Sequence, residues 1–231
     1  MCLEVRGRAT LKEGVFFNCY RNKDSNCNKQ TSGFKCNYLS KEKYYIMKII
    51  PEHIRVRNLH YIIRCAEETD AEQLVQIRLQ IDRETTFLDR EPGEGMLTPS
   101  DFKHLIRTDS EESNRLFLLA ETENGTIIAF SRCEGSNLQR LKHKVEFGIC
   151  VLKDYWGFKI GPKLLETSIK WASANKLTKM TLSVIETNEK AINIYKRYNF
   201  EIEGILKKDK RLENGEYYST IIMSRFLSDY K

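Results

Sequence analysis

Residues Val145 to Asn175, VEFGICVLKDYWGFKIGPKLLETSIKWASAN, constrain the fold of this chain more than any other stretch. Val145 to Leu152 is an apolar, β-branched run of strand length. Gly157 and Gly161 then punctuate a short turn, and Pro162 falls where a first helical position tolerates a missing N–H. Leu164, Leu165, Ile169 and Ala172 follow at helical spacing, with Lys, Glu, Thr and Ser between them, as in an amphipathic helix of about three to four turns. A strand that passes through a glycine turn into a helix leaves first-turn N–H groups unpaired at the positive end of the helix dipole. Such a junction suits a phosphate or another anion. Its spacing is neither that of a Walker loop nor that of the GxGxxG dinucleotide fingerprint.

Within this stretch, YWGFKIGPKLLE resembles the pyrophosphate loop of the GNAT superfamily of acyl-CoA-dependent N-acyltransferases, with Trp156, Lys159 and Gly161 at its three defined positions. Further on, VIETNEKAINIYKRYNFEIEG resembles the next element of that superfamily at Val184, Asn188, Ala191, Tyr195, Phe200 and Gly204. The two motifs occur in the expected order, separated by one helix and one strand. The resemblance covers about three quarters of the chain, from Leu59 to Leu227.

Other segments fit around that centre. Leu59 to Cys65 reads as a first strand. Thr69 and Glu72 have capping-box spacing ahead of a helix carrying Leu74, Ile77, Leu79 and Ile81. Asp82 to Leu97 reads as a surface loop, and Thr98, Pro99 and Asp101 restart a helix. Arg115 to Glu121 and Thr126 to Cys133 flank Asn124-Gly125, a hairpin signal. After the strand at Val145 to Leu152, the fourth, further strands are expected at Lys179 to Ile185, Phe200 to Lys207 and Tyr217 to Phe226, with a short helix from Asn188 to Tyr198. The order predicts an α/β (α+β) domain. The resemblance makes it a three-layer domain with a mixed, mostly antiparallel, seven-stranded sheet splayed between strands four and five.

Residues 1–46 are rich in Asn, Lys, Ser and Cys without sustained periodicity and read as an irregular N-terminal extension, so that residues 47–231 form the transferase-like domain and Met47 is a conceivable alternative start. Of seven cysteines, Cys2, Cys19, Cys27 and Cys36 fall in this extension at spacings that fit neither a zinc half-site nor a disulfide framework. Cys65, Cys133 and Cys150 read as small buried thiols. No metal is expected. The chain lacks a bilayer-spanning apolar run and a secretory signal, and reads as cytoplasmic. Its net charge of +6 is interspersed with carboxylates, so neither nucleic acid nor a membrane is an expected partner. A homodimer is left open.

The resemblance implies the chemistry. The protein would transfer the acetyl group of acetyl-CoA to a primary amine by direct attack in a ternary complex, and no metal would take part. Backbone groups of Phe147, Ile149 and Val151 would bond the pantetheine arm. Amides of Trp156, Gly157, Phe158, Lys159, Ile160 and Gly161 would hold the pyrophosphate, helped by the side chains of Lys159 and Lys163. Asn188 would bond the arm, or else only cap its helix. Tyr195 would be the general acid, and Glu146 a candidate base that is equally readable as a solvent-facing strand residue. Glu84 and Glu91 read as contacts for a cationic acceptor. The alternative is a non-catalytic acyl-CoA sensor of the same fold, motivated by Lys159 and Pro162, which depart from the family pattern.

Overall fold

The computed structural model describes residues 49–227. The expected N-terminal extension, its four cysteines Cys2, Cys19, Cys27 and Cys36, and Met47 lie outside the described residues. The chain forms β1 (Glu52–Val56), β2 (Leu59–Cys65), α1 (Ala71–Glu84), α2 (Pro99–Glu111), β3 (Arg115–Thr122), β4 (Ile127–Gly135) and β5 (Lys144–Val151). It continues through α3 (Ile160–Ala174), β6 (Lys179–Ile185), α4 (Glu189–Arg197), β7 (Glu201–Arg211) and β8 (Tyr217–Phe226).

All the strands join one sheet in the order β1-β2-β3-β4-β5-β6-β8-β7. Among the described residues only β5 and β6 pair in parallel. This is the mixed, mostly antiparallel architecture expected, with eight strands in place of seven. The additional strand is β1, which pairs with β2 across the two-residue turn Arg57-Asn58. Its sequence EHIRV alternates at Ile54 and Val56, which pack against the core, but over only five residues, and Arg-Asn lacks the glycine that marks a tight hairpin. The local signal is therefore short, and pairing with β2 completes the strand. β7 also runs past Lys207 to Arg211, because β8 continues to pair with it across an irregularity between Leu206 and Lys210.

Two cores flank the sheet. One gathers Leu164, Leu165, Ile169 and Ala172 of α3 with Ile192 and Tyr195 of α4 against the strands. The other packs Leu74, Ile77 and Ile81 of α1 and Phe102 and Ile106 of α2 on β3 and β4. Burial of each leucine is worth about 1.5–3 kcal/mol, which holds the apolar stripe of α3 on the sheet. α2 starts as its sequence requires. The Asp101 amide donates to Thr98 Oγ1 at 3.2 Å while Asp101 Oδ2 accepts from the Thr98 amide at 2.8 Å. Ahead of α1 the reciprocal cap joins Glu67 and Asp70 in place of Thr69 and Glu72. Arg64 explains the shift, since its guanidinium donates to both Asp70 oxygens at 2.8 Å and holds the turn there.

Cys65 and Cys133 are not in disulfides. Cys150 is disulfide-bonded, which corrects the free-thiol expectation at that position; its spacing to other cysteines carried no pairing signal. Among the described residues no helix is long and apolar enough to cross a membrane.

Candidate active site

The parallel contact between β5 and β6 is short. It joins Lys144 with Lys179, Val145 with Met180 and Glu146 with Thr181, and then ends. Beyond it β5 stays on β4 as far as Val151, and β6 stays on β8 as far as Ile185. The sheet therefore opens where β5 and β6 part, at the place the resemblance implied. Leu152 donates its amide to Ile128 O of the preceding strand region at 3.1 Å. Because strand groups alternate in direction, the main-chain groups of Phe147, Ile149 and Val151 turn the other way, toward the opening.

The strand then bends into α3. Gly157 takes φ +87° and Lys159 takes φ +61°, so two turn residues occupy left-handed backbone. Lysine adopts there the conformation that glycine occupies more easily. Trp156 folds back and its indole N–H donates to Val151 O at 2.9 Å, which pins the loop to the end of β5. The Trp156 amide is taken by Lys153 O at 3.1 Å, and the Lys163 amide by Lys159 O at 3.0 Å. Between them, Gly157, Phe158, Lys159, Ile160 and Gly161 donate no backbone hydrogen bond among the described residues. Pro162, third in the helix, has no N–H to offer. The expected cradle is thus a run of consecutive open donors at the positive end of α3.

A cavity of about 480 Å³ adjoins this cradle and the open edge. β5 contributes Phe147, Ile149 and Val151, and the loop contributes Trp156, Gly157 and Lys159. Ile160 and Gly161 line it from α3, and Asn188 and Tyr195 from the region of α4. Two expected residues are placed differently. Phe158 presents its ring to the core beside the sheet, and its carbonyl accepts from Tyr61 Oη at 3.5 Å. Lys163 Nζ lies 3.3 Å from Glu166 and 3.8 Å from Glu52, outside the cavity lining.

Asn188 is buried and caps α4, its Oδ1 accepting from the Ala191 amide at 3.2 Å. The side-chain NH2 has no partner among the described residues and remains a donor for a ligand. Tyr195 is 3% exposed and packs on Phe200 with ring centroids 5.8 Å apart. Burial pushes its phenol well above the ordinary value, so it keeps its proton throughout the neutral range.

Glu146 lies on β5 opposite Glu134 of β4 and does not line this cavity. The residue keeps solvent access. Even so, partial desolvation of its carboxylate, and then the charges of Glu134 and Asp89, raise its carboxyl above the ordinary range. Glu84 and Glu91 line a second cavity of about 380 Å³ together with Glu213. Phe87 and Trp156 belong to both cavities, which therefore adjoin. Glu84 is already engaged, accepting the Lys153 amide and Gln80 Nε2, each at 2.8 Å. Glu91 is raised by partial desolvation and by Glu213 and Glu94. Phe87, Tyr155, Lys190 and Ile194 also line the larger cavity and were not anticipated. Lys190, inside the motif that follows Asn188, was findable; Phe87 sits in a loop without periodicity.

Comparisons with known proteins agree with this geometry. The sequence profile described as the Acetyltransferase (GNAT) family matches residues 78–200. An L-amino acid N-acetyltransferase of Escherichia coli (strain K12) is 28% identical over 165 residues, which are 71% of this chain and 96% of that protein. A spermidine N(1)-acetyltransferase of the same strain is 27% identical over 144 residues, covering 61% of this chain and 72% of that protein. An acetyltransferase of the GNAT family from Streptococcus pneumoniae superposes with a TM-score of 0.69 at 28% identity, over 72% of this chain and 99% of that one.

Proposed function

The chain belongs to the acetyltransferase (GNAT) family, and from that premise we propose that it transfers the acetyl group of acetyl-CoA to a primary amine by direct attack in a ternary complex. One observation carries the proposal: an open strand edge, a run of unpaired amides and a buried phenol meet at a single cavity. The cavity also has the size of a cofactor site.

Each step falls to a residue already placed. The open amides from Gly157 to Gly161 donate to the diphosphate, and the main chain of Phe147, Ile149 and Val151 bonds the pantetheine amides as an added strand would. Glu146 takes a proton from the ammonium form of the acceptor through water. The free amine attacks the thioester carbon and the C–N bond forms; as the C–S bond breaks, Tyr195 gives its proton to the departing sulfur, and the proton shed by the new amide nitrogen passes through water to restore the phenol. No enzyme nucleophile is needed, because the thioester is already activated.

Asp82, Glu84, Glu91 and Glu213 outnumber Arg83 and Lys153 in the neighbouring cavity, and this excess of carboxylates favours an acceptor with more than one positive charge. The relatives named for L-amino acids and for spermidine supply the two classes to compare. Thiol release from acetyl-CoA should be measured with polyamines, L-amino acids and a protein N-terminal peptide. Release with polyamines above the others supports the reading. Tight cofactor binding without thiol release on any amine would identify the non-catalytic sensor.

A further inference from the structure

We propose that Arg57, at the tip of the unanticipated β1–β2 hairpin, binds the 3′-phosphate of the CoA cosubstrate; this rests on the acetyl-CoA reading above. Arg57 takes φ +57°, left-handed backbone that a non-glycine residue adopts at a cost. That strained conformation brings an exposed guanidinium to the pyrophosphate loop. Its central carbon lies 5.8 Å from the centroid of the Phe158 ring, a stacking contact. The Tyr61 hydroxyl holds the Phe158 carbonyl from the following strand, so the hairpin and the loop are tied together beside the open amides.

Lys159 and Lys190 line the cavity itself, beside the open amides. Lys163, the other cation of the first helical turn on this side, already faces Glu52 and Glu166. Arg57 has no ion pair among the described residues and is left positive. Neither Phe158 nor Arg57 is among the residues that line the cavity, so the stacked guanidinium stands outside it. The open amides, with Lys159 and Lys190 of the cavity lining, serve the diphosphate. A cation outside them is placed for the remaining phosphate of the cosubstrate, the phosphomonoester on the ribose. Arginine suits that group through its planar fork of donors.

Calorimetric titration of CoA and of 3′-dephospho-CoA onto the native chain, R57A and R57Q tests the assignment. The native chain is expected to bind CoA about tenfold more tightly than the dephospho form, the size of one charge-assisted hydrogen bond. In both variants that preference falls to about onefold while dephospho-CoA binds as before. R57Q keeps a planar group over Phe158 without charge, so it separates lost charge from lost packing if R57A melts early. An unchanged preference in the variants, an equal loss for both ligands, or no preference in the native chain overturns the proposal. If the native chain binds neither ligand, the acetyl-CoA reading falls first and takes this one with it.

Discussion

The indole N–H of Trp156 donates to the carbonyl of Val151 at 2.9 Å, so the residue that opens the glycine turn is fastened to the last residue of the splayed strand. The same ring borders both cavities. Trp156→Ala frees that carbonyl and lets the loop drift from β5. It should weaken CoA binding by about tenfold, the worth of one hydrogen bond and part of an aromatic contact, and raise KM for the amine as well. Equilibrium binding together with steady-state kinetics would check both effects.

Tyr195→Phe removes a proton donor and almost no packing area. Turnover should fall by about a hundredfold or more, the usual contribution of a positioned acid, while CoA affinity stays close to native. Single-turnover rates and a binding titration on the same preparation separate the two quantities. An unchanged turnover would remove the assigned role from Tyr195.

Glu146 carries the pH dependence on the acid side. Its carboxyl is raised by partial desolvation first and by Glu134 and Asp89 next, so it takes up a proton at a higher pH than an ordinary glutamate. A base works only when deprotonated. The acid limb of kcat/KM should therefore lie above the ordinary carboxylate range, and Glu134→Gln, which removes one of the repelling charges, should move it to lower pH. Because burial raises the Tyr195 phenol, no alkaline limb from that residue is expected below about pH 10.

Stability should fall in strong alkali for a related reason. Burial pushes the Cys133 thiol from 9.0 to about 12. Burial, and then Glu52, push the Tyr61 phenol from 10.0 to about 12. The unfolded chain ionises these groups first, so each added unit of pH above their unfolded values favours unfolding, and below those values they make no difference. Cys133→Ala should flatten the first part of that decline. Denaturant midpoints measured from neutral pH upward would show it.

The parts of this fold that were legible in the sequence are those where one residue type has one local solution. Asn124-Gly125 and Asn214-Gly215 mark their hairpins because each glycine sits at positive φ, +81° and +80°. Thr98, Pro99 and Asp101 mark the start of α2 for equally local reasons. Arg57-Asn58 makes a turn of the same length without such a signal, so β1 was missed. The cradle was legible as strand, glycine turn and helix, and Lys159 at positive φ shows how a residue foreign to the pattern still fits it. Phe87 and Glu213 come to the cavities through loops whose course depends on tertiary packing, and periodicity is silent there.

The measurement that bears most directly on the central claim is a calorimetric titration of the native chain with CoA. If the open amides from Gly157 to Gly161 and the splayed edge of β5 form the cosubstrate site, the titration shows saturable binding at one site per chain and the melting temperature rises with ligand. Absence of heat together with an unmoved melting temperature would contradict the account.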